Sequence, residues 1–241
     1  MKLSAPIYLL KQQARVLARR ENIPLHQALD RIARQEGFTA WSLLTARTTS
    51  EKPATALLAQ LCPGNLVLLG ARPGQGKTLL SLDLAIQALR QGNQAAFFTL
   101  DFTEADVTAH FKTLGAERSE FRDRFLVDDS DRICADYVIA RLGSPAPGTL
   151  VVIDYLQLLD QRRENPDLMH QVQRLRSFAK ERQVIIVCLS QIDRSYDSAR
   201  NPCPGIADIR LPNPVDLTLF DRMCFLHQGK IQLVSPGYSD S

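Results

Sequence analysis

No apolar run in the 241-residue sequence approaches the roughly 18 residues that a bilayer-crossing helix needs, so the sequence offers no helical membrane span. The start also lacks an uninterrupted apolar core followed by a small-residue cleavage site, which argues against a secretory signal. It is rich in arginine with no acid before Glu21 and so loosely resembles a transit peptide, but its helical pattern runs on into sequence of ordinary folded character. Cysteine is scarce: Cys62, Cys134, Cys188, Cys203 and Cys224 are odd in number and never spaced as Cys-x-x-Cys. That excludes an obvious disulfide framework or zinc knuckle and leads us to expect a reducing, cytoplasmic setting. Cys188 and Cys224 sit in apolar runs and read as small core residues. There is no internal repeat and no low-complexity tract. What remains, with 45% hydrophobic and 23% charged residues, is the composition of a globular protein.

Charge is mild overall but unevenly placed. Residues 1–50 carry eight Lys/Arg against three acids, a net +5, and the remainder carries 21 against 23, a net −2. The basic end is therefore the better candidate for an anionic partner. Residues 1–47 read as a small basic helical unit. One helix is expected from about Ala5 to Arg20, a break at Ile23-Pro24, and a second helix over Leu25 to Gln35, with Gly37 as its stop. Thr39 can cap a short third helix carrying Trp41, Leu43 and Leu44. Two readings stand open here: a helix-turn-helix, or an appendage that packs on the main domain or mediates association with itself or a protein partner. Residues 48–54 are polar, contain Pro53 and read as a linker, leaving residues 55–241 as the main domain.

The main domain begins with the stretch on which the rest is organised. Leu66-Val67-Leu68-Leu69 is an apolar run, followed by Gly70-Ala71-Arg72-Pro73-Gly74-Gln75-Gly76-Lys77-Thr78 and then a helical pattern. Strand, glycine-bearing loop and helix in this order make a phosphate-binding loop. Gly74 and Gly76 let backbone N–H groups converge on phosphate oxygens, and the helix points its positive end at the same anion. Lys77 can reach the β- and γ-phosphates, and the Thr78 hydroxyl can bind magnesium. The strict pattern G-x-x-x-x-G-K-[ST] has glycine where this chain has Ala71.

Further apolar strands are expected at residues 95–100, 125–127, 149–153 and 184–189, separated by helices at about 77–91, 103–114, 133–142 and 169–181. Residues 223–234 read as a hairpin about Gly229-Lys230. Continuous apolar strands alternating with helices predict an α/β fold with a mainly parallel sheet covered on both faces. Ligands on such sheets sit at the carboxyl ends of the strands. Three strand ends carry polar residues there: Asp101, Asp154 and Gln191. Asp154 is placed to hold the magnesium shell opposite Thr78. Asp101, or else Glu104, can orient the attacking water, and Gln191 can sense the γ-phosphate. An aspartate at a strand end is also a common turn former, and that plainer reading stands beside the functional one.

These residues resemble a family. Ala71-Arg72-Pro73-Gly74-Gln75-Gly76-Lys77-Thr78 looks like the phosphate loop of DnaB-type replicative helicases, which also tolerate alanine at the first position. Val152-Ile153-Asp154-Tyr155-Leu156-Gln157-Leu158 is similar to their magnesium-binding strand. Leu189-Ser190-Gln191-Ile192-Asp193-Arg194-Ser195 resembles their next strand end, and Phe97-Phe98-Thr99-Leu100-Asp101 the strand that normally ends in the catalytic glutamate. The resemblance covers roughly residues 56–230. It implies a RecA-like P-loop NTPase core using ATP and Mg2+, assembled as a homo-oligomer, often a ring, and acting on single-stranded DNA. In such rings DNA is gripped by loops after the strands, for which Arg162 and Arg163 in one loop and Arg194 and Arg200 in another are the candidates. As charge runs they also fit an ordinary solvated face.

Four departures matter. Ile209-Arg210-Leu211-Pro212-Asn213-Pro214 replaces a more charged family segment. Asp101 is one methylene shorter than glutamate. Ile231-Gln232-Leu233-Val234 is followed by Ser235-Pro236-Gly237, where the family has basic fingers for the neighbouring subunit, and only Lys230 is near. The large N-terminal helical domain of the replicative helicases does not appear in this sequence. The expectation is therefore a short accessory or mobile-element ATPase, with helicase activity in view. The rival is a nucleotide-dependent regulatory or assembly ATPase of the same core. A small-molecule kinase is disfavoured, because Asp154-Tyr155 and Ser190-Gln191 have no place in an acceptor-binding scheme.

Overall fold

The computed structural model describes residues 7–21, 23–41, 44, 53–160, 164–196, 201, 203–210 and 213–234. The chain divides into two units, one ending at Lys52 and one beginning at Pro53.

In the first unit, helix α1 spans Ile7–Glu21 and α2 spans Leu25–Gln35. Pro24 precedes α2 in an extended conformation and breaks the path between the two. Leu10 and Ala14 of α1 pack on Ala28, Ile32 and Ala33 of α2, and Leu44 closes this small core. Trp41 is only half-buried against it, and its backbone N–H donates to the Asp30 carboxylate at 2.9 Å.

The second unit opens with α3, Pro53–Leu58. The expected linker includes Pro53 and Ala54, yet they begin this helix. Proline suits a first helical position, where its missing N–H costs nothing, and Ala54, Leu57 and Leu58 are buried. The remaining expected linker residues, 48–52, lie outside the described residues. There follow β1 (Leu66–Ala71), α4 (Lys77–Arg90), β2 (Ala95–Thr99), α5 (Glu104–Thr113), β3 (Phe125–Asp128) and α6 (Ala135–Leu142). Then come β4 (Leu150–Asp154), α7 (Leu168–Arg182), β5 (Ile185–Gln191), β6 (Arg222–His227) and β7 (Lys230–Val234).

The strands form one sheet in the order β3-β2-β4-β5-β1-β6-β7. Every neighbouring pair is parallel except β6 and β7. The central strands are buried along nearly their whole length, so both faces must be covered. Side chains alternate between two cores. Val67, Leu69, Phe97, Val152 and Val187 meet α4 and α5 through Leu82, Ile86, Val107 and Phe111 on one face. Leu68, Phe98, Val151, Ile153 and Cys188 meet α6 and α7 through Val138, Val172 and Leu175 on the other.

Local signals explain the element ends. Thr103 caps α5 in a reciprocal box with Asp106. Asp167 caps α7 by accepting the His170 N–H at 2.8 Å. β6 and β7 join through Gln228 and Gly229, both with positive φ (48° and 75°), a pair that suits a tight hairpin turn. Lys230, expected in the turn, is therefore the first residue of β7.

Candidate nucleotide site at the carboxyl ends of the strands

The strand order sets the site. β5 lies between β1 and β4, so the ends of β2, β4, β5 and β1 stand side by side along one edge. Thr99 is in register with Asp154, and Ala71 with Gln191. The chain beyond β1 then turns through Arg72 and Pro73 into α4 on one face, while β4 and β2 occupy the positions beyond β5. This crossover opens a crevice at the strand ends.

Ala71 is the last residue of β1, extended and almost fully buried. Glycine is not needed there for conformation, so the departure from the strict motif costs nothing. Conformational need falls instead on Gly74 and Gly76, at φ of 78° and 83°, and a Cβ built on either would meet open space. The backbone at both positions is therefore open to close approach by a ligand. Gly76 is the N-cap of α4 and makes no side-chain cap, which leaves the first backbone N–H groups of that helix available to an anion. Gln75 is held from the neighbouring strand: its Oε1 accepts the Gln228 N–H at 2.8 Å, tying the loop to the β6–β7 turn. Arg72 is half-buried, and Pro73 is exposed in the turn.

The three residues given the central roles converge. Lys77 Nζ lies 3.1 Å from Asp154 Oδ1, and Thr78 Oγ1 donates to Asp154 Oδ2 at 2.8 Å. Asp154 is 1% exposed, so its charge relies on these partners. The ammonium of Lys77 also sits 5.4 Å from the Tyr155 ring centroid. Among the described residues no group of three or more His, Cys, Asp or Glu side chains gathers for a metal. An all-protein cage is thus absent there, whereas one hydroxyl and one carboxylate suit magnesium, which keeps most of its waters and takes further oxygens from phosphate. The donor set fits that ion, and Thr78 and Asp154 are the residues that could hold it.

Asp101 follows β2 beside this pair. Its N–H donates to Thr99 Oγ1 at 3.1 Å, which fixes the turn. Desolvation raises its carboxyl above the ordinary value, the negative charge of Asp154 adds to this, and Lys77 opposes it. Its charge is therefore sensed by both residues. Glu104, the alternative for the same role, is instead ion-paired with Arg118 at the start of α5.

Gln191 is half-buried at the end of β5 and lines a cavity of about 170 Å³ with Tyr155, Gln157 and Arg210. Here the structure adds residues that sequence reasoning did not single out. The Arg210 N–H donates to the Gln191 carbonyl at 2.8 Å, and Gln157 Nε2 donates to the Arg210 carbonyl at 2.8 Å. The signal for Gln157 was present in the string Asp-Tyr-Leu-Gln. Arg210 stands 19 residues beyond Gln191 and could not be placed by spacing.

Of the four arginines proposed for DNA, Arg194 is exposed after β5. Arg162, Arg163 and Arg200 lie outside the described residues, as does the expected finger region at residues 235–237. The loop after β5 is anchored at Tyr196, which is buried, donates from its hydroxyl to the Asn201 carbonyl at 2.6 Å, and meets the His227 ring edge-on at 5.7 Å.

Comparisons with known proteins bear on the family and the fold. A curated relative, the probable plasmid replicative DNA helicase of Chlamydia trachomatis serovar L2, is 28% identical over 195 residues, covering 66% of this chain and 43% of that protein. The replicative DNA helicase DnaB of Leifsonia xyli subsp. xyli is 26% identical over 181 residues, covering 62% and 40%. The chain thus spans less than half the length of these relatives. Among solved structures, a DnaB-like replicative helicase studied with its interactions with primase matches with a TM-score of 0.59 at 18% identity, over 95% of this chain and 74% of that one. A KaiC-like protein of Pyrococcus horikoshii matches with a TM-score of 0.51 at 16% identity, over 67% and 70%. These likenesses identify the fold as RecA-like. A family model, the DnaB-like helicase C terminal domain, matches residues 108–231, just over half of the sequence, and the chain accordingly belongs to the DnaB-like helicase C-terminal domain family.

Proposed function

We propose that residues 53–241 are a magnesium-dependent ATPase that acts on single-stranded DNA as an accessory or mobile-element helicase. The observation that carries this reading is the meeting of Lys77, Thr78 and Asp154 at the strand ends, beside two left-handed glycines over open space. In this reading the loop from Arg72 to Gly76 wraps the phosphates with its backbone, and Lys77 turns from Asp154 to the β- and γ-phosphates. Magnesium, when bound through Thr78 and Asp154, neutralises phosphate charge. Asp101 orients the attacking water, and Gln191 hydrogen-bonds the γ-phosphate and passes its presence to Arg210 through the shared strand end. Arg194, with Arg162, Arg163 and Arg200, grips the DNA backbone. The names of the chlamydial relatives, plasmid replicative helicases, favour the mobile-element assignment. A ring of identical subunits in the cytoplasm is part of the same proposal.

ATP hydrolysis with and without single-stranded DNA tests it, with Lys77→Ala as the control. Stimulation by DNA is expected, together with a loss of at least about 100-fold in Lys77→Ala, the scale of removing one charge-stabilising donor. Turnover that ignores DNA would sink the motor reading. Sedimentation with and without ATP tests the ring.

A second reading is a nucleotide-dependent regulatory or assembly ATPase with slow turnover. Asp101 motivates it, because a carboxylate one methylene short misplaces the water. Asp101→Glu is expected to raise turnover; an unchanged rate would remove the shortened side chain as the cause of slow hydrolysis.

A further inference from the structure

Helix α1 carries a charged face that the nucleotide site does not use. Lys11, Arg15 and Arg19 recur every four residues and all are exposed. At about 1.5 Å of rise per residue they form a row about 12 Å long on one side of the helix. Arg20 is exposed beside them. The only acid on α1 is Glu21, and it is taken by Arg20 and by Arg31 of α2. Among the described residues, Lys11, Arg15 and Arg19 have no ion pair or hydrogen-bonding side-chain partner. Like charges four residues apart oppose one another on a helix, so the row is unfavourable until opposite charge arrives. The inner side of α1 is already satisfied, since Leu10 and Ala14 are buried against α2 with Leu17 and Ala18 beside them.

We infer that this row binds the sugar-phosphate backbone of nucleic acid, without regard to sequence and without need of nucleotide. A 12 Å row matches about three phosphates of one strand at about 3.4 Å of axis each. Contacts of this kind position a protein rather than specify a base, and lysine and arginine at helix surfaces supply them. An anionic bilayer is the weaker fit. Helices that lie in an interface bury a bulky apolar face, but the apolar side of α1 is covered by α2, and Val16 is its only exposed large hydrophobic residue among those described. Nucleic acid is preferred to other polyanions on the strength of the DNA-acting reading of the main domain, and to that extent the inference rests on it.

The test uses the full chain, fluorescein-labelled oligo-dT and anisotropy across a salt series, without ATP. The variant Lys11→Gln/Arg15→Gln/Arg19→Gln alters only exposed positions, and an unchanged circular-dichroism melt confirms that it is folded. It is expected to bind at least about 10-fold more weakly at low salt, with the slope of log K against log salt reduced by about two to three. The charge-matched control Lys112→Gln/Lys180→Gln/Arg182→Gln, at exposed positions of the second unit, is expected to keep wild-type binding and slope. An unchanged slope in the triple variant overturns the inference. So does a larger effect of the same substitutions on binding to phosphatidylserine vesicles than to DNA, or displacement of DNA by polyglutamate at equal charge. The main proposal fails separately: ATP turnover that ignores DNA removes it, while the salt slope still reports on α1.

Discussion

Asp154 is buried at 1% exposure and answers to two partners, Lys77 and Thr78. Removing the cation strands a carboxylate in the interior, where an uncompensated charge costs about 3–5 kcal/mol. Lys77→Ala should therefore lower stability by about 3 kcal/mol in a chemical denaturation series, besides abolishing turnover. Asp154→Asn should cost less, because a neutral amide still receives the Thr78 hydroxyl. Asp101 has the opposite character. Desolvation and the charge of Asp154 raise its carboxyl, so the folded protein disfavours the ionised form. A raised carboxyl binds protons more tightly folded than unfolded, and stability falls as pH rises above the ordinary value of 3.8. Asp101→Asn removes that penalty. It should melt higher than wild type at pH 7, and the difference should vanish as pH falls below about 4. Equal melting at both pH values would show that neither desolvation nor the charge of Asp154 raises the Asp101 carboxyl.

At the scale of elements, the segments that carry the site are pinned by a few polar residues in otherwise apolar packing. Gln171, on the inner face of α7, is 1% exposed. Its Oε1 accepts the Ala135 N–H at the start of α6, and its Nε2 donates to the carbonyls of Leu159 and Pro166 at 2.6 and 2.7 Å. It thereby fixes the chain that leaves Asp154. Gln171→Leu leaves these backbone groups unpaired and should cost about 3 kcal/mol by urea denaturation, whereas Thr103→Ala, which removes only the cap of α5, should cost about 1 kcal/mol. A similar loss in both would mean that water replaces Gln171. The sequence pattern predicts a linker over residues 48–54, and the structure begins α3 at Pro53 within that stretch. Proline reads as a breaker until the buried Ala54, Leu57 and Leu58 show it to be a first helical residue. The central strands are legible to within a residue or two, because full burial leaves an unbroken apolar run.

For the whole molecule, the two cores on either side of the sheet enclose Cys188 and Cys224, and burial pushes both thiols up to about 12. Cys62 is exposed. Alkylation of the folded protein at pH 8 should modify Cys62 within minutes and leave Cys188 and Cys224 intact until global unfolding, as mass spectrometry of the labelled peptides would read. Modification of either core thiol in native buffer would mean that the sheet opens without unfolding.

The sequence by itself determined the phosphate loop, the apolar strands and the polar residue that ends each one, because these depend on local chain chemistry and on burial over five or six neighbours. It also placed the basic charge on residues 1–50, since charge is counted and not folded. Only the tertiary structure decided that β5 would stand between β1 and β4, so that Lys77, Thr78 and Asp154 meet within hydrogen-bonding distance. Strand order depends on how helices pack across two faces of the sheet, and no local pattern encodes it. For the same reason Arg210 came to Gln191, and Gln228 to Gln75, from 19 and 153 residues away.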